Sequence, residues 1–364
     1  MRKKVIAIAL LVLFIVAFGR LIAQAIKWSP VLFEYFFQKE INLKKTQTRV
    51  NILFLGIGGG KHDGPLLIDT IIYAAIDKER QGVTLISIPR DLWIEDLQAK
   101  INTAYAFGEE RKKDGGLILT STIVEKIFNQ PVDYVLRIDF NGFINAIDMI
   151  GGIEVDVDRS FEDFEYPISG KEKDTCGYTG EEFEKRATSS AIFEAFPCRY
   201  EHIVFQKGVR HMDGETALKF VRSRHALGVE GTDFARSKRQ EKVIEAFKEK
   251  LFSLSTLFNP GKLMSLYDVF HDSIHTDIQR NEYDDFVKLA KKMKDARINN
   301  VVFFYTDYYS KNPGIFVNPP ESDEYGRQWV LIPRKGTSDF SEIQMLVECE
   351  IQTENCSLAP SSIK

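Results

Sequence analysis

The residues that invite a chemical reading are cations placed where apolar side chains would be expected. Arg90 follows Ile86-Ser87-Ile88-Pro89, just past a buried apolar run, where α/β proteins commonly place ligand-binding groups. Arg222 and Arg224 close a helical pattern that opens at Asp213. In the next helical segment, opening at Asp233, Arg236 and Gln240 lie one turn apart, on a stripe continued by Val243, Phe247 and Leu251. A guanidinium and an amide on a core-facing stripe are costly unless partnered, and an enclosed anion would be such a partner. Asp233 suits the helix N-terminus as a cap and stands one turn before Arg236, which it could orient. The competing account for Arg222, Arg224, Arg236 and Arg239 is a solvated face of ion pairs with neighbouring acids.

A metal-binding carboxylate is expected at Asp69, which opens the next apolar run after His62 and Asp63. Magnesium is held by one or two carboxylates plus phosphate oxygens and waters, so one Asp suffices; the same residue type also caps turns. Other motifs fail on inspection. The run Gly56-Ile57-Gly58-Gly59-Gly60-Lys61 lacks the Ser or Thr that a Walker loop needs at His62, and the glycine it needs at Leu55. A dinucleotide fingerprint would need glycine at Lys61, leaving a glycine turn that lets backbone approach a ligand. His271 and His275 are four residues apart, but without an adjacent Glu and a third ligand they do not make a zinc-protease site. No Gly-x-Ser-x-Gly nucleophile elbow is present.

Positioning these groups requires a layered scaffold. Residues 50–55, 70–76 and 83–88 read as buried strands of one sheet, with a polar Gly-ended turn at residues 77–82. Helices are expected at residues 117–128, 143–150, 213–222, 233–254, 262–270 and 281–293, and strands at 134–138, 153–157 and 299–305. This alternation predicts an α/β/α sandwich. Residues 158–204 lose periodicity and read as a disulfide-tied excursion that could cover a site, and the tail from Tyr308 shows no clear element.

The 364 residues carry 44% hydrophobic and 27% charged side chains, the profile of a folded chain. A net charge of -4 gives no general drive toward nucleic acid, so an anion site must be local. Arg2, Lys3 and Lys4 precede an apolar run from Val5 to Ile26, broken only by Gly19-Arg20 and Gln24, long enough to cross a bilayer with its N-terminus inside. A signal peptide cleaved after Ala23-Gln24-Ala25 is the alternative, and either way the remainder is exported. Four cysteines suit that compartment; of three connectivities, Cys176 with Cys198 and Cys349 with Cys356 is the one expected.

The ordered set Asn51-Ile52-Leu53-Phe54-Leu55-Gly56, Asp69-Thr70, Ser87-Ile88-Pro89-Arg90-Asp91, Lys100-Ile101-Asn102-Thr103-Ala104-Tyr105, Gly151-Gly152-Ile153-Glu154-Val155, Asp213-Gly214, Val221-Arg222-Ser223-Arg224 and Asp233-Phe234-Ala235-Arg236-Ser237-Lys238-Arg239-Gln240 resembles the LytR-CpsA-Psr family. The resemblance implies a three-layer α/β/α fold with a mixed central sheet, behind one transmembrane helix. It also implies a phosphotransferase that moves a glycopolymer from a polyprenyl-pyrophosphate carrier to peptidoglycan, outside the cytoplasmic membrane. Arg90, Lys100, Arg222, Arg224, Arg236 and Gln240 would hold the pyrophosphate, with Arg239 beside them, and Asp69 would bind magnesium or manganese. Arg90, Asp91 and Arg236 would act in catalysis, Asp91 as a base or as an orienter of Arg90. One departure stands out: many members carry an Asp where this chain has Gly58, so Asp63 or His62 would have to substitute, or the metal would rest on Asp69 and substrate oxygens. A carrier pyrophosphate hydrolase and a non-catalytic lipid-binding regulator are the alternatives. An isoprenoid cavity is expected around Phe140, Phe143, Ile147 and Phe220, although ordinary core has the same composition. The expected organisation is residues 1–4 inside, 5–26 anchor, 27–49 linker, 50–255 catalytic domain with the 158–204 insertion, 256–306 its continuation and 307–364 an extension.

Overall fold

The structure, a computed structural model, describes residues 41–46, 48–60, 64–189, 191–251, 274–303, 305–310, 314–353 and 356. The expected anchor and the helix at 262–270 lie outside these residues, and among those described no helix is long and apolar enough to cross a membrane. The chain groups into two compact units: Lys45–Asp277 with Lys294–Lys364, and Met1–Lys44 with Ile278–Met293. This division differs from the one read in the sequence, since residues 307–364 join the sheet-bearing unit and residues 278–293 leave it.

In the larger unit a mixed six-stranded sheet has the order β11-β6-β1-β2-β3-β12. Its strands are β1 (Arg49–Ile57), β2 (Ile68–Asp77), β3 (Gly82–Ile88), β6 (Tyr134–Asp139), β11 (Ile274–Thr276) and β12 (Arg297–Val302). β1 runs antiparallel to β2 and parallel to β6, and β12 runs parallel to β3. The sheet is Ile-, Leu- and Val-rich because both faces are covered. Leu53, Leu55, Tyr73 and Ile86 meet α1 (Ala104–Arg111), α2 (Gly115–Phe128) and α9 (Ser341–Thr353) in one core. α1 and α2 approach so closely that a Cβ on Gly108 would lie 2.3 Å from the Gly115 carbonyl oxygen, so that position takes only glycine.

Over the other face lies α7 (Asp233–Leu251), which meets the sheet where Glu241 accepts from Asn300 at 3.1 Å and Gln240 donates to Thr70 at 3.4 Å. Val243 of α7 is buried in a second core with α3 (Phe140–Met149), α6 (Gly214–Arg222), the β7 (Ile153–Val157) and β10 (Gly208–Met212) ribbon, and the β8 (Phe161–Pro167) and β9 (Tyr200–Phe205) ribbon. Phe247 and Leu251 pack against it, so the stripe read from the sequence does face inward. Asp213 caps α6 by accepting from the Thr216 amide at 2.8 Å.

Two segments carry more structure than their sequence suggested. The excursion contains α4 (Gly180–Ala187) and α5 (Ile192–Ala195) beyond the β8–β9 ribbon, and is closed by a disulfide from Cys176 to Cys198. The tail forms β13 (Tyr305–Asp307), β14 (Phe316–Asn318) and β15 (Ile332–Pro333) before α9, on which Cys349 is joined to Cys356. Ile343, Val347 and Ile351 recur every four residues and enter the main core.

Arg334 ties β15 to α9 through two bonds to Glu342, at 2.7 and 3.0 Å, and this hydrogen bonding holds the Glu342 carboxyl below its ordinary range of about 4.5. A depressed acid stabilises the fold above its unfolded value, and the contribution is lost as pH falls through the folded one. Stability of the Glu342→Gln variant is therefore expected to depend less on pH than the parent's below about pH 4.5, checked by urea unfolding across pH 3 to 7.

The smaller unit contains α8 (Tyr283–Lys292). Lys288 there bridges Asp284 and Asp285 at 2.7 and 3.1 Å, and Asp285 accepts from the Asn42 amide at 3.1 Å.

Candidate active site

At the carboxyl end of β3 the chain turns through Pro89-Arg90-Asp91 into the short hairpin of β4 (Trp93–Ile94) and β5 (Ala99–Lys100). Backbone bonds fasten that turn to its neighbours. The Asp91 carbonyl accepts from Leu331 at 3.0 Å, the Leu331 carbonyl accepts from Trp93 at 2.8 Å, and the Arg90 carbonyl accepts from Asn102 at 3.2 Å. The side chains then alternate in charge. Arg90 pairs with Asp69 at the start of β2, its Nε lies 3.5 Å from Asp91 Oδ2, and Lys100 Nζ lies 2.9 Å from Asp91 Oδ1. Arg90 and Asp69 are each about one-third exposed, so the pair is solvent-screened and open to exchange with an incoming anion. Both oxygens of Asp91 thus face cations, Oδ1 bonded to Lys100 and Oδ2 within ion-pair distance of Arg90.

Arg90 and Asp91 line a cavity of about 1140 Å³ together with Arg224, Arg236 and Arg239. The same cavity has apolar walls from Phe161, Phe220 and Phe303. Among the described residues Phe140, Phe143 and Ile147 are not part of these walls. Ile147 is buried in the second core, Phe143 packs against that core, and Phe140 stacks under Arg222 at 4.1 Å. Only Phe220 of the four residues expected to shape a cavity does so, because core and cavity draw on the same apolar faces.

Of the residues read from the sequence, Arg239 has its donors used within the protein. It is 3% exposed. Its Nε donates to the Phe220 carbonyl at 2.9 Å, Nη2 to the Ser223 carbonyl at 2.7 Å, and Nη1 to the Glu230 carbonyl and carboxylate at 2.9 and 3.1 Å. Burial pulls this guanidinium's pKa down and Glu230 opposes the shift. Arg239 thereby ties α6 and the turn at Gly228–Gly231 to α7. Arg222 donates to the Tyr166 hydroxyl at 3.1 Å, outside the cavity lining. Burial pushes the Tyr166 phenol up to about 12, against the charge and hydrogen bond of Arg222. Lys100 and Asp69 reach the site through the ion pairs above, and Gln240 through Thr70, the neighbour of Asp69. Asp63 and the Asp233 side chain lie outside the described residues.

The residue that sequence reading missed is Asp163. It is fully buried, and its Oδ2 accepts from the Ser223 hydroxyl at 2.7 Å and from the Arg224 and His225 amides at 3.2 Å, while Oδ1 accepts from the Glu165 amide at 3.0 Å. The segment that carries Arg224 is thus folded around one carboxylate. A signal existed: Phe161 and Asp163 share the inward face of β8 by alternation, and an acid at an apolar phase needs partners.

The glycine turn after β1 is shaped by the neighbouring strand. Gly59 has φ +66°, and a Cβ there would lie 2.7 Å from the Asp139 Cβ, so the chain passes against Asp139 only as glycine. Among the described residues the one acid and cysteine cluster of metal-binding spacing is Asp174, Cys176 and Cys198, whose sulfurs are joined to each other and offer no thiolate.

The sequence model of the LytR_cpsA_psr family matches residues 31–324. A polyisoprenyl-teichoic acid–peptidoglycan teichoic acid transferase TagU of Oceanobacillus iheyensis is 29% identical over 267 residues, which cover 72% of this chain and 68% of that one. TagV of Bacillus subtilis, described by the same activity, is 27% identical over 266 residues, covering 71% of this chain and 57% of that protein. The crystal structure of Bacillus subtilis TagV superposes with a TM-score of 0.53 at 21% identity, over 84% of this chain and 98% of that one, a likeness of fold.

Proposed function

Because the chain belongs to the LytR_cpsA_psr family, we propose that it transfers a glycopolymer from a polyprenyl-pyrophosphate carrier to peptidoglycan, forming a phosphodiester. The observation that carries this reading is a single cavity with guanidinium groups and aromatic walls, which suits a ligand that is a diphosphate at one end and an isoprenoid at the other.

Phosphoryl transfer depends mainly on positioning and on stabilising charge at the phosphate oxygens. In this reading the diphosphate displaces Asp69 from Arg90, and Arg224 and Arg236 meet it from the facing wall. Asp91, clamped by Lys100, keeps the Arg90 fork aimed at the transferring phosphate. An acceptor hydroxyl attacks the phosphorus that bears the glycopolymer, and the bond to the carrier phosphate breaks, releasing polyprenyl phosphate. Arg239 and Asp163 hold the wall in place.

Magnesium belongs to the same proposal. Asp69 gives one oxygen to Arg90 and has a second to offer, and Gly58 brings no side chain. A single carboxylate fits magnesium that also takes waters and diphosphate oxygens, where it would neutralise charge on those oxygens. The apolar run at residues 5–26 would keep the domain at the outer membrane surface, where the carrier resides.

The test is incubation of the purified protein with a polyprenyl-pyrophosphate-linked glycan, magnesium and peptidoglycan, read by mass spectrometry. A glycan joined to peptidoglycan, with polyprenyl phosphate released, is expected. Free glycan phosphate in the presence of acceptor would indicate a hydrolase, and retained substrate a binding module. Asp69→Ala is expected to lower turnover roughly a hundredfold while inorganic pyrophosphate, measured calorimetrically without metal, binds at least as tightly, since Arg90 loses its internal competitor. Weakened metal-free binding would count against the displacement step.

A further inference from the structure

A chain of hydrogen bonds outside the residues used above ends beside this site. Tyr105 of α1 lies with its hydroxyl 2.6 Å from His275 Nδ1 on β11, and His275 Nε2 lies 2.7 Å from Asp114 Oδ1 in the α1–α2 turn. Asp114 holds a left-handed conformation, φ +63°, which places its carboxylate at the ring. With Asp114 accepting from Nε2–H, Nδ1 is left to accept from the phenol, so the phenol oxygen is free to accept a further bond. The guanidinium of Arg137 on β6 lies over the same Tyr105 ring, its carbon 5.9 Å from the ring centroid, and while burial raises the Tyr105 pKa, the nearby positive charge of Arg137 opposes the rise.

Arg137 is itself only partly paired. Its Nη1 lies 3.4 Å from Asp139 Oδ2, and its Nε is buried with no hydrogen-bond partner. The sheet register gives its address. Arg137 stands beside Leu55 and Asp139 beside Ile57, and Ile57 pairs on its other side with Ile68, the residue before Asp69. Arg137 therefore occupies the same end of the sheet as the Asp69–Arg90 pair, across β1. Tyr105 is buried, whereas Asp114 is 54% exposed, so the chain runs from the surface to this guanidinium.

We infer that Arg137 is a further anion-contacting residue of the transfer reaction, and that Asp114, His275 and Tyr105 are positioning residues that hold its guanidinium toward the diphosphate end of the site. The inference rests on the reading under Proposed function, and it gives His275 a task that zinc binding does not.

The test uses the full chain and inorganic pyrophosphate, with Arg90→Ala as the control for the parent reading. Arg137→Gln is expected to weaken binding roughly tenfold, the loss of one charge-assisted bond, with Arg137→Lys recovering part of it. Tyr105→Phe and His275→Gln are expected to raise KM for the carrier-linked glycan several-fold while kcat stays within about twofold, at matched fraction folded. Nitrogen-15 NMR of His275 is expected to show the Nε2–H tautomer, lost in Asp114→Asn. Parent-like affinity in Arg137→Gln, with Arg90→Ala still impaired, would overturn the inference and leave the parent reading intact; no binding by the unmodified chain would sink that reading instead. Unchanged KM in folded Tyr105→Phe would remove the positioning role.

Discussion

Arg90→Ala is expected to reduce kcat/KM for glycopolymer transfer by roughly a thousandfold, the scale set by single preorganised donors and by arginines at transferring phosphates. Arg90 sits between two carboxylates, and Lys100 neutralises only one of them. Its removal withdraws the fork and, in metal-free binding, leaves Asp69 facing the diphosphate as bare negative charge. Two consequences separate this account from a folding defect. Arg90→Lys is expected to recover little, because an ammonium supplies no bidentate geometry. Arg90→Ala combined with Asp69→Asn is expected to bind inorganic pyrophosphate more tightly than Arg90→Ala alone, since the uncompensated carboxylate is gone; equal affinity in the two would rule out the electrostatic explanation.

Asp163→Ala is expected to destabilise the protein by roughly 3–5 kcal/mol, the range for removing one partner of a buried charged network. Four donors point at this carboxylate, and truncation strands the Ser223 hydroxyl and three backbone amides where water is scarce. Asp163→Asn keeps one acceptor oxygen and is expected to lose about half as much, by the same reasoning. Urea unfolding should show a lower midpoint at unchanged slope. Because residues 223–225 wrap this side chain, the asparagine variant should also raise KM for the carrier. A stable Asp163→Ala protein with parent KM would mean that the segment bearing Arg224 is held by other contacts.

The central strands were legible because each is a short run of Ile, Leu and Val, and α7 because Val243, Phe247 and Leu251 continue a stripe of helical period. Arg90 was legible from its place at a strand end. The tail was not read as structured, although Ile343, Val347 and Ile351 carry the same period, because polar segments punctuated by proline and single glycines on either side of the short strands break up any longer pattern. Arg239 lines the cavity as its place beside Arg236 suggested, but its engagement with the carbonyls of Phe220, Ser223 and Glu230 was not legible, because residues on one face of a helix share a phase and phase does not reveal which groups a guanidinium reaches. Asp163, Tyr105, Arg137 and His275 act through partners distant in sequence, so no local spacing announces them.

The backbone clasp between Leu331 and the Asp91–Trp93 turn has a consequence for timing. Translation delivers Arg90 early and Leu331 late, so a nascent chain that has already closed β1, β2 and β3 still carries its reactive turn unfastened. The cavity takes its final outline only when the last strands arrive. A premature stop before Leu331 would therefore yield a sheet without a competent site, and the order in which the pieces emerge delays activity until nearly all of the domain has been made.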